Sequence, residues 1–108
     1  DNIYINNLYP TLTLNGDKIE YIEKGYKYKE QGVFASDAID LDLTNKVKTT
    51  GKVNVNSEGE YEITYTVTNS RGYSNNTTRK VFVVDNFSTT NINSYLSTEK
   101  QVMTLLYI

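Results

Sequence analysis

Eight consecutive residues, Tyr61-Glu62-Ile63-Thr64-Tyr65-Thr66-Val67-Thr68, alternate apolar or aromatic side chains with polar ones. A period of two puts every second side chain on one face of a pleated strand, so one face meets a core and the other meets water. A helix could not sort these residues that way. Asn69-Ser70-Arg71-Gly72 follows as a turn, and Arg79-Lys80-Val81-Phe82-Val83-Val84 returns as the partner strand.

The rest of the chain repeats this grammar at intervals of about ten residues, the pattern of an all-β sandwich. Thr11-Leu12-Thr13-Leu14 alternates and meets the turn signal Asn15-Gly16-Asp17. Ile19-Glu20-Tyr21-Ile22 is closed by Lys24-Gly25. Tyr26 and Tyr28 alternate with Lys27 and Lys29 as a further half-buried strip, and Gln31-Gly32 precedes Val33-Phe34-Ala35. A loop then runs from Asp37 to Leu43. Val47 opens the next strand, Gly51 breaks it, and Val53 and Val55 continue it. Ten Tyr with many Thr, Val and Ile suit this reading, because such side chains pack well on a half-buried pleat.

The sandwich is expected over residues 10–85, between Pro10 and Asp85, with 1–9 as an N-terminal lead-in. Residues 86–108 read as a polar Asn/Thr/Ser-rich linker and the start of a further element. Within it Thr98-Glu99-Lys100-Gln101 resembles a capping box, and Val102, Met103, Leu105 and Leu106 fit a helical face slightly better than a strand. This end is either the stump of a following domain or a terminal element that packs on the sandwich.

Composition removes several classes of function. The 108 residues make one domain, able to bury about two-thirds of its unfolded surface without staples. There is no Cys and no His, so thiol nucleophiles, Ser-His pairs, imidazole acid–base chemistry and an ordinary zinc site are excluded. A net charge of -2 offers no positive field to a phosphate backbone, so nucleic acid is not an expected partner. No apolar run is long enough to span a membrane. Asp1-Asn2-Ile3-Tyr4 has no basic n-region or apolar h-region, so an export signal is expected outside this stretch.

Two longer patterns carry a resemblance. Ser57-Glu58-Gly59-Glu60-Tyr61-Glu62-Ile63 resembles the turn of immunoglobulin-like domains in which a Tyr hydroxyl bonds back across the corner. Ile63 stands where antibody domains have their second core Cys, so the likeness is to disulfide-free versions of the fold. The string Leu14-Asn15-Gly16-Asp17, Gly25-Tyr26-x-Tyr28, Gly32-Val33-x-Ala35-x-Asp37 and Asp40-x-Asp42-Leu43-Thr44-x-x-Val47 continues into Gly59-x-Tyr61-x-Ile63 through Gly72 and Arg79-x-Val81-x-Val83. In this order it is similar to the bacterial Ig-like domains found in tandem on surface proteins and secreted enzymes and in a pesticidal crystal toxin. Two positions depart from that family's habit: Leu41 stands where it has Gly, and Asn69 where it has Asp. The resemblance implies an Ig-like β-sandwich of about seven strands, an extracellular or cell-surface location, and a non-enzymatic spacer role.

The candidate sites each have a plainer explanation. Asp37, Asp40 and Asp42 lie close enough on one loop to suggest Ca²⁺, but no Glu follows at the spacing of a calcium loop. Asp also caps turns by accepting backbone N–H bonds, and that reading is preferred. Glu58, Glu60 and Glu62 fall on turns or solvent faces, far from the paired carboxylates of a glycosidase cleft. Tyr21, Tyr61 and Tyr65 fall on core parity, while Tyr26, Tyr28 and Tyr73 are the candidates for an exposed sugar-stacking surface. Lys80 has the opposite parity from Val81 and Val83, so it is solvated and not placed for a Lys–Asn crosslink. The expectation is therefore no catalytic residue, no cofactor and no bound metal. The partners are neighbouring domains of the same polypeptide, with adhesion to a cell-wall or host glycan as the alternative role. Edge strands rich in Thr, Lys and Glu are blunted against pairing, so a monomer is expected.

Overall fold

The computed structural model describes residues 8–85. The segment 86–108, with its helix-or-strand question, and residues 1–7 of the lead-in lie outside the described residues. Seven strands form two sheets: β1 (Thr11–Leu14), β2 (Ile19–Glu23), β3 (Val33–Asp37), β4 (Leu41–Asp42), β5 (Lys48–Thr50), β6 (Gly59–Thr68) and β7 (Ser74–Val84). The order is β1-β3-β4 in a three-stranded sheet and β2-β7-β6-β5 in a four-stranded one. The one helical element among the described residues is a 3-10 turn at Thr44–Lys46. The architecture is an all-β, disulfide-free, immunoglobulin-like sandwich.

The alternation of β6 is realised as read. Ile63, Tyr65 and Val67 are buried while Glu60 and Glu62 are exposed. β6 and β7 pair in antiparallel register from Gly59↔Val83 to Thr68↔Ser74, closed by bonds from Gly72 N to Asn69 O and from Asn69 N to Tyr73 O. The core has two layers. Val33, Ile63 and Tyr65 pack with Leu12, Leu14, Val47 and Val53. Ala35, Leu43 and Val67 pack with Leu12 and Val47. Burying each of the larger aliphatic side chains contributes about 1.5–3 kcal/mol, so these few residues supply much of the drive to fold.

β1 and β2 form one N-terminal run that changes sheets. β1 pairs antiparallel with β3, and after residues 15–18 β2 pairs in parallel with the last five residues of β7. Three local expectations give way. Residues 27–32 form no strand; a turn at Gly25 and the convergence of Tyr28 and Gly32 on the Glu30 carboxylate bend the segment away from any ladder. β5 ends at Thr50, because Gly51 takes a positive φ of 100° and breaks the extended run before Val53 and Val55. The loop from Asp37 to Leu43 contains the short strand β4.

β2 also faces the other way from its apparent parity. The register pairs Glu20 with Val81 and Tyr21 with Phe82, so Glu20 shares the inner face with Val81 while Tyr21 shares the outer face with Phe82. The physical reason is a buried cation. Arg79, with no solvent exposure, faces inward from β7, and Glu20 turns inward to lie 3.8 Å from its guanidinium. Tyr21 then stacks on Phe82 outside, with centroids 5.2 Å apart.

Candidate functional site

At the pole where β1 begins, the turn Ala38–Asp40 leaves β3 and lies beside the β6–β7 turn. Asp37 ends β3 pointing inward. Its Oδ2 accepts the N–H groups of Ile39 and Asp40, each at 3.0 Å, as an Asx turn requires. Its Oδ1 accepts from Asn69 Nδ2 at 2.8 Å and from Arg71 Nη2 at 3.1 Å. Asp40 accepts from Ser70 N at 2.6 Å and Ser70 Oγ at 2.7 Å, so it ties the two turns together. Asp42 accepts Thr44 N–H at 2.9 Å and starts the 3-10 turn.

These bonds explain the protonation behaviour. The Asp40 N–H holds the Asp37 carboxyl down to about 2 against the opposing effect of burial, with Asn69, the Ile39 N–H and Arg71 adding to it. Asp42 is lowered by the Thr44 N–H and hydroxyl. The three Asp side chains of the calcium reading are thus directed at three separate backbone segments. Among the described residues no three His, Cys, Asp or Glu side chains converge on a common point for a metal ion. Beside them lies an open cleft of about 380 Å³ lined by Asp40, Asp42, Leu43, Lys46 and the start of the β6–β7 turn.

The second polar centre lies lower in the sandwich. Glu30 accepts from the Tyr65 hydroxyl at 2.5 Å, from Gly32 N–H at 2.7 Å and from the Tyr28 hydroxyl at 3.0 Å. Burial pushes the Glu30 carboxyl up, but the bonds from Tyr65, Gly32 and Tyr28 outweigh it and leave it lowered. Burial first, and the Glu30 bond second, push the Tyr28 hydroxyl up to about 12 and raise Tyr65 as well. Arg79 sits 5.7 Å from the centroid of the Tyr65 ring, and its Nη2 donates to the carbonyls of Asn15 at 2.7 Å and Gly32 at 3.1 Å. Its cation is therefore met by a π face, two carbonyl dipoles and Glu20.

The aromatic candidates separate cleanly. Tyr65 is fully buried, and Tyr61 donates its hydroxyl to Ser57 O at 2.7 Å, the corner bond its sequence context suggested. Tyr28 is held on Glu30, and Tyr73 packs edge-on against Tyr9. Tyr26 is 65% exposed. Lys80 is exposed and pairs with Glu60 at 3.3 Å. Arg79 was not singled out from sequence, although it shares the odd parity of Val81 and Val83 and could have been. Asn69 is nearly as telling, because it is buried and makes four bonds. Its Nδ2 donates to Leu8 O and Asp37, and its Oδ1 accepts Arg71 N and Tyr73 N.

A two-sheet sandwich with a Tyr corner and no disulfide defines a disulfide-free immunoglobulin-like module. The sequence model of the family described as bacterial surface protein, Ig-like domain, matches residues 12–83, and the chain belongs to that family. Solved structures agree. A lipoprotein from Bacteroides thetaiotaomicron is 35% identical with a TM-score of 0.65, covering 73% of this chain and 39% of that one. The chain thus spans about two-fifths of the lipoprotein. Two structures of Clostridium perfringens ZmpB are also similar. One, the catalytic domain with two CBM domains, is 22% identical with a TM-score of 0.58, covering 72% of this chain and 8% of that chain. The other, a CBM domain in complex with GlcNAc together with INT domains, is 24% identical with a TM-score of 0.57, covering 71% and 17%. Both show the fold alone. No curated protein matches the chain.

Proposed function

We propose that residues 10–85 form a non-catalytic spacer that presents neighbouring domains of one secreted or cell-surface bacterial polypeptide. The observation that carries this reading is the placement of the two ends. Leu8 and Pro10 are fixed beside Asn69 and Asn75, where β7 begins, and the chain leaves after Val84, where β7 ends. The ends therefore stand the length of an eleven-residue strand apart, roughly 35 Å at about 3.3 Å per residue. Copies joined end to end would extend and not fold back. The large relatives in which similar domains occur support the same role, and β5, a short edge strand reading Lys-Thr-Thr, suits a monomer. Small-angle scattering on chains of one, two and three copies tests it. The longest dimension should grow by a nearly constant step of about 35 Å per copy, and a chain that stays compact would sink the spacer reading.

A second reading, adhesion to a glycan, is favoured by the outward Tyr21–Phe82 stack and by exposed Tyr26. Retention on insoluble chitin, cellulose or cell wall that disappears in Tyr21→Ala or Tyr26→Ala would put adhesion first. No retention would leave the spacer alone.

A further inference from the structure

The N-terminal run lies alongside β7 in the same direction for its whole length. Pro10 O accepts from Asn75 Nδ2 at 2.9 Å, Asn15 O from Arg79 Nη2 at 2.7 Å, and Lys18 O from Lys80 N–H at 2.9 Å. β2 continues the series in parallel register from Ile19↔Lys80 to Glu23↔Val84. The described residues begin beside the start of β7, at Leu8 and Pro10, and end at Asp85, just past its last residue. Tension on the two ends therefore draws residues 10–23 one way and β7 the other, along their common axis. The bonds between them lie across the pull and are loaded together.

The weak point of such an arrangement is residues 15–18, where the run changes sheets and has no strand pairing. Arg79 occupies that point. It starts from the middle of β7, crosses the interior without solvent contact, and holds Asn15 of the N-terminal run and Gly32 ahead of β3. Bonds from a charged donor to carbonyls are among the stronger ones, and here they bind β7 to elements of the opposite sheet. We infer that the module is a mechanical clamp: the N-terminal run and β7 form a shear-loaded pair, and Arg79 is the pin at the sheet switch. The clamp gives the spacer reading a purpose, resistance to tension along the polypeptide, but its test stands apart from that reading.

The test is single-molecule pulling on the full chain. One arrangement attaches handles at the two ends. The other uses Glu58→Cys and Asp85→Cys, which flank the open end of the β6–β7 hairpin, just beyond the last pair Gly59↔Val83. Terminal pulling should need clearly more force than hairpin pulling, since the second geometry breaks ladder bonds one at a time while the first loads them together. Equal forces would overturn the clamp, while the spacer reading would still stand or fall on the scattering series. Arg79→Met should shorten the lifetime under terminal load about tenfold. Arg79→Met combined with Glu20→Leu, which removes the ion pair as a unit and leaves no inward carboxylate unpaired, should shorten the lifetime equally while its urea midpoint is largely kept. An unchanged lifetime would overturn the pin. So would a loss of lifetime matched in full by a loss of equilibrium stability, which is what a merely structural Arg79 would give.

Discussion

Tyr65→Phe removes one oxygen from the interior and leaves the ring in place. Tyr65 is fully buried, and that oxygen is the donor at 2.5 Å to Glu30. The carboxylate keeps its bonds from Gly32 N–H and the Tyr28 hydroxyl, so no buried group is orphaned by the change. A bond to an ionised acceptor is worth about 1.5–3 kcal/mol. Glu30 is exposed as a residue, so solvent screening reduces this to about 1–2 kcal/mol. In a domain of this size each kcal/mol moves the thermal midpoint by about 4–8 °C, so a fall of roughly 5–15 °C is expected. The protonation dependence follows from the lowered Glu30 carboxyl. A depressed carboxylate stabilises the fold above its unfolded value, near 4, and loses that contribution as pH falls through the lower folded value. The gap between wild type and variant should therefore be full at neutral pH and shrink below about pH 4. Urea melts of Tyr65→Phe, Glu30→Gln and the double variant, at both pH values, form the assay. A coupling energy of about 1 kcal/mol at neutral pH is expected. A single-variant loss below about 0.3 kcal/mol, or no coupling, would refute the account of Glu30 as the organiser of residues 27–32.

Leu41 is the one non-glycine residue with a positive φ (65°) among those described, and its side chain is 70% exposed. Leu41→Gly should therefore stabilise the domain by about 0.5–1 kcal/mol in urea melts, the relieved left-handed strain exceeding the flexibility Gly adds to the unfolded chain; a loss of stability would contradict this. Gly51→Ala should cost about 2 kcal/mol or more, because at a φ of 100° its Cβ would run into the Glu62 carbonyl oxygen; a neutral result by the same melts would remove the explanation for the end of β5. Asn69→Asp sets a second carboxylate against Asp37 across a 2.8 Å contact. The pair then retains a proton in the folded state that the unfolded chain releases near pH 4, so the variant loses stability as pH rises from about 4 toward neutral. Wild type behaves oppositely in acid, because the depressed Asp37 stabilises above about pH 4 and is lost toward pH 2. Thermal scans across this range that run parallel for the two proteins would refute the contact.

The strand grammar was legible where one face of a strand is purely apolar. β6 and the hairpin into β7 could be read residue by residue, because Ile63, Tyr65 and Val67 obey period two without exception. The Tyr61 corner was legible for a different reason: a Gly two residues before a Tyr is a local signal, and Ser57 lies only four residues away. β2 was misread because its orientation depends on a partner about sixty residues on. Ile19 and Tyr21 look like the inward pair until Arg79 on β7 demands a carboxylate from Glu20. The Tyr26–Lys29 alternation misled in the same way, since Glu30 is tied to the Tyr65 hydroxyl, 35 residues on, which no local window contains.

What the loop carboxylates do was half legible. The sequence favours capping for Asp37, Asp40 and Asp42, and the bonds to Ile39, Asp40, Ser70 and Thr44 are of that kind. It gives no hint that Asn69 completes the arrangement, because a buried amide is recognisable only from its four partners. These partners bear on function. Asp37 fixes the turn after β3, Asp40 joins it to the β6–β7 turn, Asn69 fastens the segment at Leu8, and Arg79 fastens the N-terminal run to β7. Each of these polar groups is spent within the domain, Asp37 on its own turn and on Asn69 and Arg71, the others on the backbone of another segment. On the proposed spacer reading, these bonds hold the segment at Leu8 and the N-terminal run to β7 in one rigid frame, as keeping neighbouring domains apart requires.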